Sequence, residues 1–333
     1  MIHLRMRLFV VALSLPLVLL GCATTAPPPS VTQNQPAPLA ASASTTEATT
    51  VELMETTRQS ARATAEWLAR GVDSWFGDKP FTEGGKVTDG RLSLSLFKRQ
   101  DEKFEASLRF NARFRLPNVE EKTYLFIGRD NERDVITDKP GSLSRQDRLL
   151  GDTRAERSFF AGLGRDINDA VDFRLGVRGG LKPYAQARYR QLWRFGETDL
   201  AEFRETLFWT LQDHFGSTTV GSYERNYSRT FVVRWLNAAT ITQKNRNFEW
   251  SSSLGAYKGF GNQRLLSLEA LVSGMQGTGV AVSDYGVQTK WEQPIYRDWM
   301  LGEILIGHFW PKHDAFTERS RAWAIGTRLK LAF

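Results

Sequence analysis

The chain has 333 residues, a formal net charge of +7, ten tryptophans, one cysteine and a mean hydropathy of −0.37. A single cysteine excludes an intrachain disulfide framework and a thiolate metal cluster. The basic residues are spread along the chain instead of gathering in one run, which argues against a nucleic-acid-binding module.

At the N-terminus Arg5 and Arg7 precede an apolar run, Leu8 to Leu20, and Leu19-Leu20-Gly21-Cys22 closes it. The run is about two-thirds of the ~20 residues a spanning helix needs, so it reads as the apolar region of a signal peptide. The pattern resembles a lipoprotein signal, residues 1–21. The resemblance implies cleavage before Cys22 and acylation of its thiol by a palmitate-type chain. Ala23 stands where an aspartate would retain a lipoprotein in the inner membrane, so the implied destination is the outer membrane, with the N-terminus lipid-anchored. An ordinary secretory signal with an incidental cysteine is the plainer alternative. Removing Arg5 and Arg7 with the signal takes the charge from +7 to +5 (7 − 2).

Residues 22–50 are mostly Ala, Pro, Ser, Thr and Gln, with almost nothing to bury, and read as a disordered tether. The composition then changes. Val51, Met54, Ala61, Ala65, Leu68, Val72, Trp75 and Phe76 recur near helical spacing, which predicts one amphipathic helix over 51–78. Such a helix either lies on the periplasmic mouth of the downstream region, or on the membrane surface, or enters a lumen as a plug. Its apolar stripe (51–76) is also a candidate surface for another envelope protein.

From residue 85 to 333 the chain breaks into fourteen segments of roughly ten residues, alternating apolar and polar and separated by Gly, Asn, Asp and Pro. They centre on 91–98, 104–116, 123–129, 156–164, 171–179, 184–195, 201–212, 218–225, 231–240, 248–257, 266–272, 282–292, 299–309 and 323–333. The last, WAIGTRLKLAF, puts Trp323, Ile325, Leu329, Leu331 and Phe333 on one parity and Gly326, Arg328 and Lys330 on the other. Ending on Phe333, it resembles the closing strand of bacterial outer-membrane β-barrels. That resemblance implies an all-β fold: a transmembrane antiparallel up-and-down barrel of about 14 strands, 12 being the other even count that fits, preceded by the helix. It also implies outer-membrane lipid as surroundings and the barrel-assembly machinery as a partner during biogenesis. A soluble β-sandwich would alternate too, but it would bury its apolar face. Eight tryptophans fall in or beside the segments, many near their ends, as aromatic girdles do.

With Phe104, Ala106, Leu108, Phe110, Ala112 and Phe114 facing lipid, the opposite parity faces the interior. The first half of that set is arginine-rich: Arg109, Arg113, Arg115, Arg174, Arg178, Arg188, Arg190, Arg194 and Arg204. The second half is more acidic, with Glu249, Glu269, Asp284, Glu292 and Glu303 among Arg234, Lys290, Arg328 and Lys330. If water separates the walls, the charges set up a field across a narrow, weakly anion-selective passive pore. If the side chains meet, the barrel is a closed, salt-bridge-filled scaffold or the mount of a partner-binding envelope lipoprotein. Fourteen strands lie between the barrels filled by side chains and the water-filled porins.

An outer-membrane lipid-modifying enzyme ranks last. His214, His308 and His313 sit at strand ends or in loops, nearby serines such as Ser217, Ser222 and Ser273 occur by chance, and no Gly-x-Ser-x-Gly elbow is present. The segment 130–152 carries Asp130, Glu132, Asp134, Asp138, Asp147 and Asp152, but with interleaved Arg133, Lys139, Arg145 and Arg148 it reads as a solvated outer loop and not as a calcium site. No cofactor and no metal site is expected.

Overall fold

The computed structural model describes residues 86–115, 122–138 and 157–333 except 245, 247 and 313, together with eight residues of a helical stretch between 55 and 66. All of these belong to one unit, Thr50–Phe333. The signal peptide, Cys22, the tether, most of the 51–78 helix, the turn 116–121, the loop 139–156 and His313 lie outside the described residues.

Alternation becomes architecture through pairing. The strands are β1 (Lys86–Arg99), β2 (Glu105–Arg115), β3 (Thr123–Asn131), β4 (Arg157–Asp166), β5 (Val171–Arg178), β6 (Lys182–Phe195) and β7 (Asp199–Thr210). The second half of the sheet comprises β8 (His214–Ser228), β9 (Phe231–Thr242), β10 (Phe248–Gly259), β11 (Leu265–Gln276), β12 (Asp284–Tyr296), β13 (Met300–Phe309) and β14 (Ala322–Ala332). Each pairs antiparallel with the next, and β1 pairs with β14, so the sheet closes on itself with no free edge. Closure satisfies every strand's backbone within the barrel, which a membrane requires because lipid offers no hydrogen bonds.

The seam is made by the alternating residues of the tail. Leu92 to Arg99 run opposite Leu331 to Ala324, the Phe333 amide donates to the Gly90 carbonyl at 3.0 Å, and the Phe333 ring stacks on Phe110 with centroids 6.1 Å apart. A side chain at Gly90 would collide with that ring, so the glycine lets the terminal phenylalanine lie flat on the seam. The end where β1 begins and β14 finishes is the inner rim, and the opposite end the outer rim.

Register fixes the faces. Leu94, Leu96, Leu108, Phe173, Leu175, Leu207, Leu254, Leu268, Ile304, Ile306 and Ile325 share the outward parity and are all exposed. In water such a surface would be an aggregation liability, and against acyl chains it is the expected one. Tryptophans mark its limits. Trp209, Trp250, Trp310 and Trp323 lie near the outer rim, and Trp193, Trp235, Trp291 and Trp299 near the inner rim. A charged group lies within the band: Glu205 faces outward and accepts hydrogen bonds from the Ser217 and Thr219 hydroxyls, which face outward beside it.

The connection after β3 departs from the solvated outer loop expected there. Its first residues form a short helix, α1 (Glu132–Thr137), which turns into the interior and contacts β3, β4 and β7. The physical reason is Ile136, which is buried among Tyr124, Phe126, Phe160, Tyr184 and Phe208 on the inner wall. Each of these rings faces a glycine on the adjacent strand, in the pairs Tyr124–Gly164, Phe126–Gly162, Phe160–Gly128, Tyr184–Gly176 and Phe208–Gly216. A Cβ at any of these glycines would overlap the facing ring. The aromatics thereby lie down on the wall instead of standing into the lumen, which leaves room for α1.

At the inner rim, Glu55 of the N-terminal helical stretch lies 3.6 Å from Arg297, and the Arg58 guanidinium sits 5.3 Å from the Trp299 ring centre. Both contacts are on the β12–β13 turn. They place these helical residues at the rim and not against the inner wall.

Candidate functional site

The interior is where charge gathers, and its two sides differ. On β2 and β5 to β7 the inward positions include Arg109, Arg113, Arg115, Arg174, Arg178, Arg188, Arg190, Arg194 and Arg204. Many of these meet acids. Arg109 lies 3.3 Å from Asp130, Arg190 lies 3.1 Å from Glu202, and Arg174 lies 3.6 Å from Asp172. Others meet rings: Arg113 sits 3.9 Å above the centre of Tyr124, and the Arg174 Nε donates to the Tyr124 hydroxyl at 3.1 Å. Guanidinium over an aromatic face is favourable by about 0.5–2 kcal/mol depending on desolvation.

α1 is clamped in the middle of this arrangement. The Gln186 amide donates to the carbonyls of Val135, at 2.8 Å, and Ile136. Asp138, just beyond α1, accepts from Arg188 Nη1 at 3.1 Å through its carboxylate and from Arg204 Nη2 at 2.8 Å through its carbonyl. Arg188 also donates from Nε to Asp172 at 2.6 Å. Sequence reasoning does not find Gln186, Asp138 or the five wall aromatics as interior contacts. The signal that could reveal the rings is an in-strand glycine opposite an aromatic, and it appears only once register is known.

The opposite side carries Glu249, Glu269, Glu292 and Glu303 with Arg234, Lys290, Arg328 and Lys330, all on inward positions of β9 to β14. Glu269 accepts from Lys290 Nζ at 2.6 Å, from the Tyr257 hydroxyl at 3.0 Å and from Gln288. Glu303, the acid on a strand apolar at both parities, lies 2.9 Å from Lys330 and 4.0 Å from Arg328. At the outer rim Arg99 is fully buried, bonded to Asp284 at 2.9 Å and to Asp101 at 2.6 Å, with its guanidinium 5.7 Å from the Phe309 ring centre.

Accessibility varies with depth. Towards the outer rim, Thr210, Thr218 and Asp284 are 0% exposed and Ser273 is 1%. Towards the inner rim, Arg115, Arg190, Leu192 and Arg194 are exposed. The interior thus carries charged and polar groups around an aromatic patch on β3, β4, β6 and β7, with more solvent exposure at the inner rim and tight packing at the outer one.

Apolar outside, charged inside, closed and girdled by tryptophan, the chain is a membrane-spanning β-barrel of the outer-membrane type. No protein-family model matches its sequence, and no curated protein does. Among solved structures it is similar to the anion-selective porin from Comamonas acidovorans, at 8% identity and TM-score 0.45, with 75% of this chain and 100% of that one covered. It is also similar to the outer-membrane channel DcaP of Acinetobacter baumannii, at 10% identity and TM-score 0.45, covering 77% of this chain and 99% of that one. OmpT, an outer-membrane protein of Vibrio cholerae, aligns at 12% identity and TM-score 0.42, over 75% of this chain and 98% of that one. These likenesses are too distant to assign a solute or an activity, and the architecture rests on the closure and faces of this barrel itself.

Among the described residues, the serines and histidines considered above lie apart. Ser217 faces outward and donates to Glu205, Ser273 is buried on the inner side, and the outward His308 lies between Trp310 and Trp323, 4.4 Å from each ring centre. His214 opens β8 at the outer rim. Among the described residues no group of His, Cys, Asp and Glu could hold a metal ion.

Proposed function

We propose that this chain forms a narrow, weakly anion-selective passive pore in the bacterial outer membrane, with an arginine-rich wall on β2 and β5 to β7. The observation that carries the reading is the exposure of Arg115, Arg190 and Arg194 on inward positions at the inner rim. Exposed guanidinium groups on a concave, low-dielectric wall raise the local anion concentration, while the acids opposite keep the preference weak. Planar-bilayer recordings of the purified protein in a potassium chloride gradient test it: the expected reversal potential has the sign of chloride preference, and silence or clear cation preference rejects the pore.

One observation favours a second reading, a closed, salt-bridge-filled barrel. The outer half of the interior is packed to near-zero exposure around the Arg99–Asp284 pair. Bilayers that stay silent with correctly folded protein would support this reading. An N-terminal lipid anchor on Cys22 belongs to the same proposal, and intact-mass measurement of the mature protein should show the added acyl mass, lost in Cys22→Ser. With Glu55 and Arg58 held at the inner rim, the 51–76 stripe would then be available to an envelope partner.

A further inference from the structure

We propose that Asp138 is an internal stand-in for the carboxylate of a solute, and that Arg188 and Arg204 form a carboxylate-binding site which a solute occupies by displacing Asp138 and loosening the C-terminal end of α1. The proposal rests on the pore reading and names the chemistry of its central contact.

The geometry is that of a bound carboxylate. The Asp138 Oδ2 lies 3.1 Å from Arg188 Nη1 and 3.4 Å from Arg204 Nε, so one oxygen bridges two guanidiniums on neighbouring strands. Arg188 is held from behind by Asp172, which fixes the orientation of its fork before any ligand arrives. The three side chains keep 17–21% of their surface exposed, so a small anion reaches the contact from the lumen.

Charge balance favours exchange. Arg188, Arg204 and Arg174, which shares Asp172 with Arg188, contribute +3 and Asp172 and Asp138 contribute −2, so replacing the Asp138 carboxylate with a solute carboxylate returns the site to the same net charge of +1. A monatomic anion can take the place of the bridging oxygen, but a carboxylate brings a second oxygen for Arg204 Nη2, which the Asp138 carbonyl holds at 2.8 Å. Other groups near the site do not substitute: Gln186 is committed to the α1 carbonyls and Glu202 to Arg190.

Asp138 has φ +52°, the left-handed conformation that commonly ends a helix and that aspartate tolerates. Once the carboxylate is displaced, α1 retains the Gln186 bonds and the Ile136 socket, and only its C-terminal end is freed.

The test uses full-length protein in lipid, with sodium acetate compared against sodium chloride at equal ionic strength, and reads backbone hydrogen exchange of peptides spanning 132–138 beside single-channel conductance. Exchange in that stretch should be faster in acetate by about tenfold, the equivalent of one charge-assisted hydrogen bond. Asp138→Asn should exchange as fast in chloride as the native chain does in acetate and should not respond further. Arg188→Gln should lose the acetate response, and serves alone if the Asp138 variant does not insert. Equal exchange in the two anions, or an Asp138→Asn protein with native protection, overturns the proposal. An acetate response in exchange without conductance supports the carboxylate site and rejects the pore; conductance with exchange indifferent to the anion does the reverse.

Discussion

Single residues set what the inner wall can accommodate. Gly164 is such a position, because Tyr124 of the adjacent strand lies across it and the Arg113 guanidinium lies over that ring. Gly164→Ala forces the ring off the wall and into the space α1 uses. Overpacking of this kind costs about 1–3 kcal/mol, and urea unfolding of the lipid-folded protein should show a midpoint lowered accordingly. Ala161→Gly, on the outward face of the same strand, is the comparison that should change little beyond strand propensity. In the sequence alone, Gly162 and Gly164 read only as small residues in an alternating segment. Their partners, Phe126 and Tyr124, lie far back along the chain on another strand, and no local pattern joins them.

At the scale of elements, a fully enclosed ion pair lies where β1, β12 and the β1–β2 loop meet. Arg99 is enclosed with Asp284 and Asp101 at the outer rim, its side chain wholly shielded from solvent. Removing one member of a buried pair strands the other, at about 3–5 kcal/mol. Arg99→Met should therefore lower the unfolding midpoint strongly, and Arg99→Met with Asp284→Leu should recover much of the loss; a double variant as unstable as the single one would refute the pairing argument. By contrast the Arg297–Glu55 contact has an arginine 59% exposed, and replacing Arg297 with alanine should shift stability by no more than about 0.5 kcal/mol. Element positions are largely legible in the sequence: all fourteen strands fall on the alternating segments, with ends moved by a few residues. α1 is not, since six residues with two apolar side chains carry no helical periodicity, and what draws them inward is an aromatic socket contributed by β3, β4, β6 and β7.

For the whole molecule, the separation of an arginine-bearing side from a more acidic one is a property of chain order, because an up-and-down barrel places consecutive strands side by side. Charge composition in the first and second halves of the barrel region therefore becomes opposing walls. Reversing exposed charge at one wall, as in Arg190→Glu with Arg194→Glu, changes the local balance by four units and should move the reversal potential of the proposed pore towards cations. An unchanged potential in a conducting double variant would show that these side chains do not line the ion path. The variants lie at the wet inner rim, where substitution disturbs little packing, so loss of folding is not the expected result.

The amino-acid sequence by itself pointed to a barrel of about fourteen strands, with twelve still open, and to an apolar and a polar face on each, because a period of two along a closed sheet leaves each strand only one way to satisfy lipid on one side and water on the other. Tertiary structure decided which inward charges are paired, which end of the interior is packed, and that Asp138 enters the arginine side instead of remaining in solvent. Those outcomes depend on cross-strand register and on contacts fifty or more residues apart, such as Asp138 with Arg188 and Arg204, whose energies are set by distance in space and are invisible to any local pattern.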